Sequence, residues 1–334
     1  MLAADDAPEA LDDPAAKELL VILARVGSKL KRFLAPLDIA DEGTLSLLVD
    51  ATSEVLPLEL TYDADAPDAD HAVMCEHRPG GARVGERTVC TNAGAKVVCP
   101  LAFWGQRRNI ARTIRHTPGR EISRGPSLEP VELRSALYAA ATKADEDVAG
   151  PLKPTQYLAD EIAKLLGAEN VLRVSTWEEW RDAVRDQRPQ LLVVLGHTES
   201  ARGEMNLQIG KDSWLKDPDV RADVLHAEGA PGPLVLLLAC SSAVPRDPFG
   251  GLPAAFTAGG AAAVVATLTK MHGPHGAKAA AAVIKALLEA SASGDQTLGA
   301  ALTVARRRLV QDGVLDGLLL VSHGEIDMLL KATP

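Results

Sequence analysis

Three runs of strand length consist almost entirely of apolar residues, and they constrain the fold more than any other feature of the sequence. They cover residues 191–196, 234–239 and 262–268. A strand that is apolar along its whole length is typical of a parallel sheet with both faces covered. Segments with helical spacing of apolar residues lie between and after these runs. This alternation predicts an α/β protein, a three-layer α/β/α sandwich with a mainly parallel sheet.

The chain divides by composition into a short tail and two larger parts. Residues 1–14 are polar and are expected to be disordered. Residues 15–130 are interpreted as a smaller α+β region, with an insertion at 63–100 that is rich in Asp, Gly, Pro and Arg. Residues 131–334 carry the alternating strands and helices. The predicted organisation is therefore a sandwich domain preceded by a smaller region packed against it.

Further elements are predicted from apolar spacing and from capping residues. We expect additional strands at residues 45–50, 55–62, 135–141, 171–174 and 318–321. We expect helices at residues 15–34, 101–116, 155–166, 177–185 (capped by Ser175 or Thr176), 218–226, 249–258, 276–290 and 297–310.

Charge and composition exclude several classes of protein. The formal net charge of −10 argues against nonspecific binding to nucleic acid, which depends on Lys and Arg contacts to phosphate. No apolar run reaches the roughly 18 residues that a membrane-spanning helix needs. The acidic N-terminus lacks the apolar core of a signal peptide. We therefore expect a cytoplasmic protein whose four cysteines are reduced or metal-bound rather than paired.

His197 and Cys240 directly follow two of the apolar runs, 43 residues apart. The carboxyl ends of parallel strands meet at one edge of a sheet, where an imidazole could face a thiol. A thiolate is the reactive form of cysteine, and a histidine within reach can take its proton and later return it to a leaving amine. Caspases place their histidine about 50 residues before the cysteine, in the same order. Ser241 and Ser242 are alternative nucleophiles, but no Gly-x-Ser-x-Gly motif surrounds them.

The segments around the two residues resemble the motifs of CHAT domains, bacterial members of the caspase-like clan of cysteine peptidases. The segments are LVVLGHTE, which contains His197, and LLLACSS, which contains Cys240. Three further segments resemble the same family: LPLELTYD at 56–63, FWGQRRNI at 103–110 and GLPAAFTAGGAAAVVATL at 251–268. The resemblance covers roughly residues 40–330, and it rests on the order and spacing of these motifs.

The resemblance implies a cysteine endopeptidase with Cys240 as nucleophile and His197 as base. The backbone N–H groups of Cys240 and Thr198 would form the oxyanion hole, although the family usually has Gly where this chain has Thr198. Catalysis would need no cofactor. The partners implied are a protein or peptide substrate and an activating protein, in a regulated bacterial programme such as antiphage defence.

Substrate specificity is expected to depend on charged residues at the rim of the cleft. Relatives that cut after Arg or Lys use an acidic pocket, and many carry a Trp and an Asp after the strand at 262–268. This chain has Thr269, Lys270, Met271 and His272 there, which argues against that preference. Asp247 and Glu199 remain candidate pocket acids, whereas Lys270 would suit an acidic substrate residue. His272 is expected to line the cleft.

The insertion also contains a candidate metal site, with Cys75, His77, Cys90 and Cys99 spaced as C-x-H-x12-C-x8-C. Three thiolates and one imidazole are the ligands of a structural zinc ion, and such a set leaves no open position for substrate. A polar loop that cannot order itself by burial could gain its stability from the metal. His71 could replace His77, and the alternative is three ordinary thiols.

Two other functions remain open from the sequence. The same fold could be a catalytically inactive scaffold that binds a partner protein or a signalling ligand, which the unusual Thr198 favours. The chain could also be a zinc-dependent regulator in which the segment from Cys75 to Cys99 is the functional part.

Overall fold

The computed structural model describes residues 10–39, 43–50, 56–77, 90–115, 130–146, 148, 153–201, 204–216, 225, 232–239 and 251–331. Within these ranges the chain forms six α-helices: α1 (Pro14–Leu34), α2 (Pro154–Leu166), α3 (Trp177–Gln187), α4 (Leu252–Ala258), α5 (Gly273–Ser293) and α6 (Leu298–Gln311). Among the described helices, none combines the length and the apolar character needed to cross a membrane.

Fifteen strands occur in the same ranges. They are β1 (Leu45–Asp50), β2 (Val73–Met74), β3 (Val97–Val98), β4 (Ile110–Arg115), β5 (Val131–Glu132), β6 (Ala136–Ala140), β7 (Val171–Val174), β8 (Leu191–Leu195), β9 (His197–Ala201), β10 (Glu204–Ile209), β11 (Ser213–Lys216), β12 (Leu234–Leu237), β13 (Ala263–Thr267), β14 (Leu320–Gly324) and β15 (Leu330–Lys331).

Eight strands form a central sheet in the order β1-β4-β14-β13-β12-β8-β6-β7. The five strands from β13 to β7 are parallel to one another, and so are β14, β4 and β1. The two groups meet where β13 and β14 pair antiparallel. The expected mainly parallel sheet is confirmed, and the carboxyl ends of its five-stranded group share one edge. Since β1 and β4 extend the same sheet, the division of the chain near residue 130 stays a prediction.

Helices cover both faces of the sheet because alternate residues of each central strand point to opposite layers. On β8, Leu191, Val193 and Leu195 pack in the layer that contains α2, α5 and α6. Leu192 and Val194 pack in the layer that contains α3 and α4. Burying each such side chain contributes about 1.5–3 kcal/mol, and no position on these strands can be polar without loss. The structure confirms the three-layer sandwich.

Two predicted elements differ from the structure. Residues 101–116 were expected to be helical, but the chain forms two single-turn 3-10 helices (Pro100–Ala102 and Trp104–Gln106) and then strand β4. The described part of the 55–62 segment forms a 3-10 helix at Leu58–Leu60 rather than a strand. In the first case contacts distant in sequence outweigh the local pattern, since β4 is held between β1 and β14. Of the helix expected at 218–226, only Leu225 lies within the described residues.

The structure shows which of Ser175 and Thr176 caps the N-terminus of α3. Thr176 is the N-cap: its hydroxyl accepts a hydrogen bond from the Glu179 amide at 3.2 Å. The Glu179 carboxylate accepts one in return from the Thr176 amide at 3.3 Å. This reciprocal arrangement is a capping box, which satisfies two amides that the helix itself leaves unbonded.

A buried ion pair joins the N-terminal region to the sheet. Both oxygens of Glu59 accept hydrogen bonds from the guanidinium of Arg112 on β4, at 2.6 and 2.7 Å, and neither side chain is exposed. Arg306 of α6 brings a second guanidinium within 3.8 Å of Glu59 and donates to the Leu320 carbonyl. A buried carboxylate with this pairing is held in place strongly, because any other arrangement would leave a charge without compensation.

We predict that Glu59→Gln lowers the free energy of unfolding by about 3–5 kcal/mol, because it leaves Arg112 buried without a counter-ion. Denaturant titration would measure the loss. Glu161→Gln is the control, since its exposed pair with Lys164 at 3.2 Å should contribute at most about 1 kcal/mol. Equal effects of the two substitutions would contradict this role for Glu59.

His323 on β14 is buried beside Arg112, its neighbour in the β4–β14 pairing. Neither ring nitrogen has a hydrogen-bond partner among the described residues. Burial, and to a lesser degree the charge of Arg112, lowers the pKa of His323 to about 3. The folded protein therefore holds this imidazole uncharged, whereas the unfolded chain protonates it near the usual pKa of about 6.5.

Between about pH 6.5 and pH 3 the unfolded chain binds this proton and the folded chain does not, so stability should fall as the pH falls through that window. At pH 4.5 we expect His323 alone to cost about 2–3 kcal/mol relative to pH 7.5. Denaturant titration of wild type and His323→Phe at both pH values would measure the difference. The same loss in both proteins would show that His323 is not responsible.

Candidate active site and metal centre

His197 lies at the edge of the sheet where the carboxyl ends of the five parallel strands meet. It follows β8 after a single residue, Gly196, and begins β9. A Cβ atom on Gly196 would lie 2.5 Å from a methyl group of Leu207, so glycine permits the close approach of β10 at this bend. The Gly196 amide donates to the Leu238 carbonyl at 3.2 Å, which extends the β8–β12 pairing beyond the strands.

A three-stranded antiparallel sheet, formed by β9, β10 and β11, surrounds His197 on one side. His197 is opposite Gln208, and Gln208 is opposite Trp214, so the three side chains lie in one row on one face. The other face carries Leu207 and Leu215, which are buried against the central sheet. The small sheet thus packs its apolar face inward and presents His197 on its outer face.

The sequence analysis did not predict this small sheet, although its signal is present. Residues 206–209 alternate polar and apolar, and residues 213–216 follow after a three-residue connection that begins with Gly210. Gly210 has a φ of +59°, and a Cβ atom there would lie 2.1 Å from the Ser175 carbonyl oxygen. Alternation with a glycine-containing connection is the pattern of a hairpin.

Trp214 is the aromatic residue beside His197. The ring centroids are 6.3 Å apart with an angle of 68° between the planes. The Trp214 side chain is 38% exposed, which is unusual for so large an apolar group. Gln208 between them is buried, and its amide donates to the Lys211 carbonyl. An exposed aromatic ring next to His197 gives this edge a flat apolar wall.

Two charged residues also face His197. The Lys143 ammonium lies 3.5 Å from the Nε2 atom of His197 and 3.8 Å from the Glu199 carboxylate. Burial, followed by the positive charge of Lys143, lowers the pKa of His197, while Glu199 and Glu146 act in the opposite direction. The lowered pKa favours the uncharged imidazole, which is the form that can accept a proton.

Of the other candidate site residues, some lie near His197 and some lie outside the described residues. Cys240 and Asp247 are outside the described residues. Thr198 is half-buried on β9, opposite Leu207. Lys270 is exposed and His272 half-buried in the loop between β13 and α5. That loop approaches the site at Gly273, where a Cβ atom would lie 2.0 Å from the carbonyl oxygen of Ala144, the neighbour of Lys143.

The candidate metal ligands converge although they are distant in sequence. The parallel pairing of β2 and β3 sets Met74 opposite Val98, so Cys75 and Cys99 follow at the same level. The sulfur atoms of Cys75 and Cys90 are 3.3 Å apart. The three thiols lie within 4.8 Å of one another. The Nδ1 atom of His77 is 3.3 Å from the Cys90 sulfur and 3.7 Å from that of Cys75.

These distances suit a tetrahedral ion, because ligands bonded to zinc at about 2.3 Å lie roughly 3.8 Å apart. His71 is exposed and contacts Asp68, whereas His77 lies beside Cys75 and Cys90. All three cysteines are buried and free. Burial raises the pKa of Cys75 and Cys99, whereas at Cys90 hydrogen bonds with His77 and Cys75 outweigh burial and lower the pKa to about 7. The cluster could hold a metal ion.

The chain belongs to the CHAT domain family, whose family model matches residues 24–317. The expected family is thereby confirmed. No curated protein sequence matches the chain at a significant level.

Three solved structures are similar to this chain at low sequence identity. The Arg specific cysteine proteinase gingipain R is 16% identical with a TM-score of 0.50, over 67% of this chain and 55% of that enzyme. This chain thus spans about half the length of gingipain R. In the Saccharomyces cerevisiae separase–securin complex, the matched chain is 14% identical with a TM-score of 0.42, over 68% of this chain and 14% of the other. The complex of Porphyromonas gingivalis RgpB pro- and mature domains is 12% identical with a TM-score of 0.47, over 97% and 78%. The likeness to gingipain R shows a shared fold.

Proposed function

We propose that this protein is a cysteine endopeptidase in which Cys240 is the nucleophile and His197 the base. One observation carries the proposal. In the parallel pairing of β8 with β12, Val194 is opposite Leu237. In the sequence, His197 follows Val194 by three residues and Cys240 follows Leu237 by three residues, which supports the proposal that both residues act at the same edge of the sheet. An uncharged imidazole at that edge supplies the proton acceptor that a thiol nucleophile needs.

The proposed reaction proceeds in two steps. The sulfur of Cys240 attacks the scissile carbonyl carbon while its proton passes to His197. The carbon–nitrogen bond then breaks, and His197 returns the proton to the leaving amine. Water hydrolyses the remaining acyl-thioester with His197 again as base. The backbone N–H groups of Cys240 and Thr198 are the proposed donors to the oxyanion.

The outer face of the small sheet is the proposed substrate wall. Trp214 offers an apolar surface and Glu199 a carboxylate, both on the face that carries His197. Lys143 already neutralises Glu199 in part, so Glu199 alone is a weak basis for selecting Arg or Lys. Asp247, Lys270 and His272 are proposed to contribute to the same cleft. Mass spectrometry of the cleavage products would identify the residue that the enzyme prefers before the scissile bond.

A peptide library cleaved by wild type, Cys240→Ala and His197→Ala, with sites identified by mass spectrometry, tests the proposal. We expect cuts with wild type only, since loss of a nucleophile or its base typically lowers kcat by about 10⁴–10⁶. Ser241→Ala and Ser242→Ala are the matched controls and should retain activity. Activity that survives in Cys240→Ala but not in Ser242→Ala would assign the nucleophile to a serine.

Thiol labelling separates an enzyme from an inactive scaffold of the same fold. We expect Cys240 to react with iodoacetamide near neutral pH far faster than the buried Cys75, Cys90 and Cys99, because His197 can take the thiol proton as the sulfur reacts. No cleavage by any variant, together with slow labelling of Cys240, would favour a binding module for a partner protein or a signalling ligand.

We propose a cytoplasmic setting with a protein substrate and an activating protein partner, in a bacterial programme such as antiphage defence. The free thiols support the compartment: Cys75 and Cys90, with sulfurs 3.3 Å apart, would readily pair in an oxidising environment. The partner and the programme rest on membership of the CHAT family. Loss of phage protection in cells that carry Cys240→Ala would support this setting, and full protection would contradict it.

We propose that Cys75, His77, Cys90 and Cys99 bind one structural zinc ion. Support comes from the convergence of the three thiols within 4.8 Å of one another, with the His77 ring beside two of them, and from a donor set of three sulfurs and one nitrogen. Such a closed set favours zinc over magnesium or calcium and gives the ion no catalytic role. Zinc would link β2 and β3 to the loop that begins at Cys90.

We predict one equivalent of zinc per chain by elemental analysis of the purified protein. Cys99→Ser should remove it and lower the free energy of unfolding by at least about 4 kcal/mol, as for a ligand bound a thousandfold above its dissociation constant. Cys240→Ala is the control and should retain zinc and stability. Full stability of Cys99→Ser, or wild type without zinc, would identify the cluster as ordinary buried thiols.

A further inference from the structure

The position of Lys143 beside His197 is fixed by contacts of the turn that contains Lys143, and not only by its flexible side chain. It belongs to the 3-10 helix Thr142–Asp145, which directly follows β6. The Thr142 amide and hydroxyl both donate to the Gly210 carbonyl, at 2.9 and 3.2 Å, which ties this turn to the small sheet. On its other side, Ala144 packs against Gly273 of α5. The turn is thus fixed between the two elements that border the site.

The end of the Lys143 side chain is placed between the imidazole and a carboxylate. Its Nζ atom is 3.5 Å from His197 Nε2 and 3.8 Å from Glu199 Oε1, and the side chain is 39% exposed. At this distance the positive charge of the ammonium repels an imidazolium and so favours the uncharged ring. Glu199, two residues along the same face of β9, attracts the ammonium and thereby keeps it near the ring.

Charged groups reach His197 from two elements among the described residues. Lys143 and Glu146 come from the turn after β6, and Glu199 comes from β9. Trp214, the neighbour from β11, is uncharged. Of these groups, only Lys143 disfavours the protonated ring. Burial acts in the same direction and is the larger cause, and the ammonium is the contribution that a single substitution can remove.

We propose that Lys143 is a positioning residue that holds His197 in its uncharged form for proton transfer. This inference rests on the proposed function, in which His197 exchanges protons with Cys240 and the leaving amine. Lys143 keeps its own protons throughout. The proton taken from the Cys240 thiol resides on His197 while the sulfur–carbon bond forms, and it moves to the amine nitrogen as the carbon–nitrogen bond breaks. Repulsion from Lys143 makes the intermediate imidazolium a stronger acid, which favours that return.

The test is the titration of His197 by NMR in protein labelled at histidine, in the Cys240→Ala background so that no catalysis is needed. The eight histidines are distinguished by the signal that disappears in His197→Gln. We expect Lys143→Met to raise the pKa of His197 relative to the parent protein. Lys143→Arg retains the charge and should retain the lowered pKa. Lys164→Met, at an exposed pair on α2, should change nothing.

The activity profile gives a second readout in protein with Cys240. Lys143→Met should move the acidic limb of kcat/KM to higher pH, whereas Lys143→Arg should leave it in place. An unchanged His197 pKa in Lys143→Met would overturn the inference even if proteolysis is confirmed. A KM change without a pKa change would overturn it too, and would assign Lys143 to substrate binding. A raised pKa in a protein without proteolysis would uphold the Lys143–His197 interaction and refute the proposed function instead.

Discussion

Burial of the central strands on both faces is the constraint on which the rest of the structure depends. Leu191 to Leu195 and Leu234 to Leu237 have no face turned to water, so a polar side chain in either strand would lose its hydration without a partner. Polar side chains that take part in a reaction can therefore lie only beyond the ends of these strands. His197 occupies such an end, and the small sheet β9–β11 is built directly onto it.

The ion pair of Glu59 and Arg112 has a different role, which is to attach the turn that contains Glu59 to the central sheet. Arg112 lies on β4, inside the sheet, and Glu59 lies on a turn outside it. Because both charges are buried, the turn can dock in only one arrangement without leaving a charge uncompensated. Glu59 belongs to the LPLELTYD segment, so this motif has a structural role in holding the turn at Leu58–Leu60 against the sheet.

The candidate metal centre and the candidate active site differ in their exposure to solvent. The cysteine cluster is closed: its sulfurs are buried, and the Tyr62 hydroxyl accepts from the Cys99 amide at 3.0 Å. The edge around His197 is open, with Trp214, Glu199 and Lys143 all partly exposed. A buried site is suited to an ion that stabilises a loop. An exposed site is suited to side chains that must contact an extended peptide.

The sequence by itself determined the sandwich, the position of His197 at a strand end and the four candidate metal ligands, because each depends on local pattern or on residue type. It did not determine that residues 110–115 form a strand, because only the pairing with β1 and β14 makes that segment extended. Nor did it indicate Lys143 or Trp214, which are 54 residues before and 17 residues after His197. Tertiary structure alone brings an ammonium and an indole to one imidazole, since the register of strand pairing and the docking of a turn are set by contacts between distant segments.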